Sequence, residues 1–117
     1  MKYVIYLRVS TKKQDHSPQL QNCLNFLKRQ DASDFRYCVY SDELSSRKKM
    51  DKRVGLQSAL EKLQKGDVLV GMRLDRLARN LYETTQIIHT LEEKQADILM
   101  VDQPGIKNKV LLGLYAG

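Results

Sequence analysis

Four short runs rich in apolar, β-branched and aromatic residues, Tyr3 to Val9, Phe35 to Ser41, Asp67 to Met72 and Ile98 to Val101, alternate along the chain with longer stretches whose apolar residues recur at helical spacing. Runs of this length bounded by polar residues read as buried strands. Strands that alternate with helices cannot be joined as tight hairpins and need crossover connections, so their sheet is largely parallel. The expected fold class is α/β with three layers: a central, largely parallel sheet of four to five strands, flanked by helices. In such a sheet the functional loops gather at the carboxyl ends of the strands.

The helical stretches carry their own boundaries. Ser17 followed by Pro18 is a start signal, since serine caps free N–H groups and proline tolerates the first helical position. That helix is expected to reach Arg29 or Gln30 and to bury Leu20, Cys23, Leu24 and Leu27. Asp51 is placed to cap a second helix burying Val54, Leu56, Leu60 and Leu63, with Gly66 as its stop. Leu81 to Gln95 reads as a third, its inward positions Leu81, Thr84, Thr85, Ile88 and Leu91. Between the second strand and the second helix, Asp42 to Lys52 reads as a basic loop, and Thr11 to His16 as a polar one. Pro104 and Gly105 predict a turn, after which Val110, Leu111, Leu114 and Tyr115 share one face of a final helix that is cut short at Gly117.

With 117 residues and 42% hydrophobic content, one core and one domain over 1–117 are expected. A formal charge of +6 favours polyanionic partners. Cys23 and Cys38 have neither CxxC spacing nor neighbouring histidines, so they read as small core residues rather than as a zinc or redox site, in keeping with a reducing, cytoplasmic setting. The N-terminus lacks the apolar region of an export signal, and no stretch is long enough to span a bilayer.

Chemistry concentrates in two places. Ser10 ends the first strand, with Arg8 two residues earlier and therefore on the same side of the sheet. The run Arg73 to Arg79 follows the third strand; on a helical turn Arg76 and Arg79 share one face while Leu74 and Leu77 anchor the other. Attack on a phosphodiester needs an oxygen nucleophile and fixed positive charge about the non-bridging oxygens. Arginine suits that task, because its planar fork binds phosphate in bidentate fashion and stays charged. Asp75, between the cations, is placed to orient them or to handle a proton. His16 and His89 receive no role, and no glycine-rich phosphate loop is present.

The segments YLRVST at 6 to 11, SPQLQ at 17 to 21 and LDRLARN at 74 to 80 resemble the serine site-specific recombinases of the resolvase/invertase kind. The likeness runs from the first strand through the VDQP turn to the start of the final helix. It implies a resolvase-like catalytic domain in which Ser10 forms a transient 5′-phosphoserine link to DNA and frees a 3′-hydroxyl, with no cofactor and no metal. By the same resemblance Arg8, Arg76 and Arg79 hold the scissile phosphate, Gln21 positions groups near Ser10, and Asp75 supports the arginines or protonates the leaving group. Arg53, before Val54, Gly55 and Leu56, matches a loop arginine of the family, with Arg47 as competitor; Tyr6 and Asp42 match lining or structural positions. The chain departs from the pattern at Ser46, where glycine is common, and at Val54, where proline is frequent. Family members continue into a long dimerising helix and a DNA-binding domain, so the resemblance implies DNA as partner and assembly into a dimer and synaptic tetramer in the full-length protein.

Two other readings compete. A regulatory or nucleic-acid-binding remnant would keep the fold without the chemistry. A receiver-like signalling domain would need carboxylates at the strand ends to bind magnesium, where this chain has Arg8 and Ser10.

Overall fold

The computed structural model describes residues 1–9, 17–31, 34–43, 52–108 and 111. Within them the order is β1 (Lys2–Val9), α1 (Ser17–Gln30), β2 (Arg36–Glu43), α2 (Val54–Lys62), β3 (Val68–Gly71), α3 (Leu74–Leu77), α4 (Leu81–Lys94) and β4 (Asp97–Met100). The strands form one parallel sheet in the order β2-β1-β3-β4, flanked by helices as the alternation of runs predicts. Because the chain moves first to one side of β1 and then to the other, consistently handed crossovers put α1 on one face and the later helices on the opposite one.

The side chains of β1 show this division. Val4 and Tyr6 pack with Leu56, Leu60, Ile88 and Leu91 of α2 and α4, whereas Tyr3, Ile5 and Leu7 pack with Cys23 and Leu27 of α1. A strand covered on both faces has no polar side to show, which is why its sequence is a nearly unbroken apolar run. Burial pushes the Cys23 thiol up to about 11, assisted by the charge of Asp102, as befits a core residue.

α2 is held differently from the sequence expectation. Asp51 lies outside the described residues, and the N-cap position is occupied by Arg53 with no side-chain cap. The free N–H groups are met from β2 instead: Asp42 accepts from Gly55 N at 2.8 Å and from Leu56 N at 2.9 Å. A carboxylate there also complements the positive end of the helix dipole. At the other end Lys94 of α4 donates to the carbonyls of Leu60 at 2.6 Å and Glu61 at 3.0 Å. Two opposite charges from separate elements thus pin a helix of nine residues, too short to persist alone in water.

Three further expectations are corrected. Val54, expected inside, is 73% exposed, and Leu81 is 56% exposed. Each sits two residues ahead of its helix's buried stripe, Leu56, Ala59 and Leu60 in α2 and Glu83, Thr84, Ile87, Ile88 and Leu91 in α4, which is about 200° away around the axis. Gly66 does not stop α2, which ends at Lys62 with an extended Leu63; it occupies the turn before β3 with φ of 86°.

Asp67 joins the start of β3 to that of β1. Its carboxylate accepts from the backbone and ammonium of Lys2 and from Gln64 N. Burial raises its pKa, but the Lys2 ammonium and the two backbone donors outweigh this and hold it below the ordinary carboxylate value.

Gly55 is required by close approach: a Cβ there would lie 2.2 Å from the carbonyl oxygen of Ser41 and 2.7 Å from its carbon. Since the obstacle is the backbone of β2, Gly55→Ala is expected to cost at least about 2 kcal/mol in chemical denaturation. A variant as stable as the parent would mean that α2 does not rest on β2 in this way. Asp67→Asn is expected to destabilise at neutral pH. Because the folded-state pKa is depressed, the Asp67 contribution is present above the unfolded value and fades as pH falls through the folded one. The gap between parent and variant should therefore close in acid, and a gap independent of pH would contradict the charge assignment.

Candidate active site

In the strand order β2-β1-β3-β4 the direction of crossover reverses between β1 and β3, and a crevice opens there at the carboxyl ends. It is lined by Arg8 from β1, Gln19 from α1, Met72 and Arg73 after β3, and Arg76 from α3. Arg8 is half-buried and lies on the same face of β1 as Val4 and Tyr6. Gln19 Nε2 donates to the Arg8 carbonyl at 3.3 Å, tying the start of α1 to the end of β1. Burial lowers the Arg8 pKa, and so do the guanidiniums of Arg53 and Arg76, while Tyr6 and Glu83 act in the opposite sense. Arg8 therefore stands in a field of like charge.

Beneath the crevice two polar links cross the core. Tyr6 OH donates to Asp42 Oδ2 at 2.8 Å, and burial followed by that carboxylate drives the phenol pKa well above its ordinary value. The carboxylate that accepts from this hydroxyl is the one that caps α2.

Arg53 forms the second link. Only 1% exposed, it donates through Nη1 to the Leu77 carbonyl at 2.9 Å and through Nη2 to Glu83 Oε1 in a buried ion pair. Its Nε has no hydrogen-bond partner among the described residues. An arginine expected on a loop of the site is thus part of the floor. Glu83 is 4% exposed; it also accepts from the backbone N–H of Arg79 at 2.9 Å, and its Oε2 is 3.8 Å from Arg79 Nη2.

The arginine-rich run is shorter as a helix than its spacing suggests. α3 holds only Leu74 to Leu77, and Ala78 is extended with φ of −126° and ψ of 133°. Arg76 and Arg79 consequently do not share a helical face: Arg76 turns to the crevice, and Arg79 is carried on the connection to α4. The apolar anchor is as expected, with Leu77 buried and Leu74 packed against the same core. Asp75 is exposed and pairs with Arg73 at 3.2 Å, not with Arg76 or Arg79.

Of the residues singled out from sequence, the structure brings Arg8 and Arg76 to one crevice, with Arg53 below and Arg79 beside it. Gln21 is not among them; it is exposed and donates to Asn25 Oδ1 at 2.9 Å, one turn along α1. Gln19, on the same helix, lines the crevice. Ser10, Ser46 and Arg47 lie outside the described residues. Glu83 and Gln19 were not anticipated. Asn80 followed three residues later by Glu83 is a helix-start pattern, and Asn80 Oδ1 does accept from Glu83 N, but nothing in that spacing announces a buried partner.

No helix among the described residues is long and apolar enough to cross a membrane. The model of the resolvase N-terminal domain matches residues 3–113. The resolvase of transposon Tn552 from Staphylococcus aureus is 39% identical over 56 residues, 48% of this chain and 27% of that protein. The DNA-invertase BinR of Tn552, also from Staphylococcus aureus, is 32% identical over 88 residues, 67% of this chain and 43% of its own length. The serine recombinase gin of Escherichia phage Mu is 39% identical over 56 residues, 48% of this chain and 28% of that protein. The chain spans less than half the length of these curated relatives. In fold it is similar to the N-terminal catalytic domain of TP901-1 integrase, with a TM-score of 0.76 at 18% identity over 99% of this chain and 95% of that one. A resolvase family site-specific recombinase from Streptococcus pneumoniae gives a TM-score of 0.66 at 19% identity, over 99% and 86% of the two chains. With the family pattern matched over nearly all of its length, the chain belongs to the resolvase family, through that family's N-terminal domain.

Proposed function

We propose that this domain cuts and rejoins DNA in site-specific recombination, with Ser10 as nucleophile. In the proposed step the Ser10 oxygen bonds to phosphorus and gives up its proton to a base, while the bond from phosphorus to the 3′ oxygen breaks and that oxygen takes up a proton. The product is a 5′-phosphoserine link and a free 3′-hydroxyl; reversal onto another 3′-hydroxyl rejoins the strand without an outside energy source. No cofactor enters the scheme.

The observation that carries the reading is the convergence of Arg8 and Arg76 on one crevice at the end of the strand that Ser10 directly follows. These two guanidiniums, with Arg79 beside them, are assigned to the non-bridging oxygens of the scissile phosphate. Asp75, paired with Arg73, is assigned to steering that edge of the crevice or to protonating the leaving oxygen. Gln19 supports Arg8 from α1, and the positioning of groups near Ser10 is assigned to Gln21. DNA is the proposed partner, in keeping with relatives named as resolvase and DNA-invertase, and assembly into a dimer and then a synaptic tetramer in the full-length protein is part of the same proposal. The reaction belongs to the cytoplasmic compartment, where DNA is accessible.

The intact protein, incubated with sheared DNA of its source and then digested with nuclease and trypsin, is expected to yield the Val9 to Lys12 peptide carrying a nucleotide on Ser10. Mass spectrometry reads the adduct directly, and its persistence in Ser10→Ala would dismiss the serine. Arg8→Ala and Arg76→Ala are each expected to slow adduct formation at least about 30-fold, corresponding to roughly 2 kcal/mol of lost transition-state stabilisation. Wild-type rates in both would remove the crevice from the chemistry and leave a domain that binds DNA without cutting it.

A further inference from the structure

Glu83 stands among three arginines. It bears on Arg8 electrostatically, forms a buried pair with Arg53 and lies against Arg79. As the third residue of α4 after its Asn80 cap, a glutamate would ordinarily fold back on the N–H of the cap itself. Here the carboxylate reaches one residue further, to Arg79 N at 2.9 Å, while its other oxygen faces the Arg79 side chain. One group therefore holds both the main chain and the guanidinium of Arg79. Through the same carboxylate it fixes Arg53, whose other arm holds the carbonyl of Leu77, the last residue of α3. The connection from Arg76 to Arg79 is braced at two points, and both braces lead to Glu83.

A buried ion pair is weak evidence of stability, because desolvation offsets much of the attraction. Its distinctive effect here is geometric. Arg8 feels the like charges of Arg53 and Arg76, and guanidiniums on long side chains would otherwise spread apart. We propose that Glu83 is a positioning residue for the reaction proposed above: from outside the crevice it fixes Arg79 directly and the Arg76-bearing turn through Arg53. The inference rests on the recombinase reading, yet the hold on Arg79 is measurable without it.

Two effects of Glu83→Gln then run in opposite directions. Loss of a negative charge among cations leaves affinity for a duplex of arbitrary sequence within about threefold of the parent or tighter, read by fluorescence anisotropy. Loss of the charge that positions the arginines lowers Ser10 adduct formation at least about tenfold. A merely structural residue would lower both in step with stability. Arg53→Met combined with Glu83→Leu replaces the pair by apolar groups, a change that often preserves folding; it is expected to stay folded and bind the duplex while forming adduct at least about tenfold more slowly. In nuclear magnetic resonance, the guanidinium Nε–Hε signals of Arg53 and Arg79, assigned through arginine-to-lysine variants, are both expected to shift in Glu83→Gln. An unmoved Arg79 signal, a parental adduct rate in either variant, or duplex affinity falling in parallel with the adduct would overturn the assignment. If the parent protein itself forms no adduct, the recombinase reading fails, and the Arg79 signal alone decides whether Glu83 holds that arginine.

Discussion

A guanidinium with 1% exposure is costly unless its charge is met, and the way the charge of Arg53 is met organises the region around it. The residue sits at the N-cap of α2, yet its partners are the end of α3 and the first turn of α4. The start of α2 and the α3–α4 segment, 24 and 30 residues further along the chain, are thereby held together. An apolar contact would join them too, but a contact of that kind tolerates sliding, whereas a planar fork bonded to a carbonyl and a carboxylate does not.

The same logic explains α2. Its sequence offers no side-chain cap of its own among the described residues, and both ends are satisfied by charges belonging to β2 and α4. Asp42 in turn takes the hydroxyl of Tyr6, so the central strand, the cap and the helix are one bonded unit. Gly55 permits it, since any side chain there would strike the backbone of β2 before the carboxylate reached the helix.

What could be read from the sequence follows from which signals are local. Alternation of apolar runs and helical spacings is local, and it sufficed for the parallel sheet and for the two faces of β1. The adjacency of Arg8 and Arg76 was also legible, because strand ends at a switch point meet by topology. Val54 and Leu81 misled because at a helix's first residue an apolar side chain satisfies a periodic pattern without belonging to the buried stripe. Asp75 lies two positions from Arg73 and one from Arg76, and only geometry decides that it meets Arg73. Glu83 was silent because a charged residue at a helix start has a sufficient local explanation as part of a cap; its burial depends on Arg53, thirty residues away. Gln19 and Gln21, two apart on α1, point in different directions, a difference that the motif alone does not reveal.

For the proposed chemistry, the repulsion that Arg8 feels from Arg53 and Arg76, added to its burial, is itself useful. A crevice whose cations are fixed too close together gains more from an anion than the same cations would if free to relax, since the cost of assembling them has been met by folding. That gain increases as negative charge spreads to the outer oxygens of phosphorus, so it favours the transition state over the bound diester. A carboxylate inside the crevice would cancel the advantage by competing for the same donors. Glu83 is buried and not among the residues that line the crevice, so it restrains Arg53 and Arg79 from outside the place where the phosphate would stand.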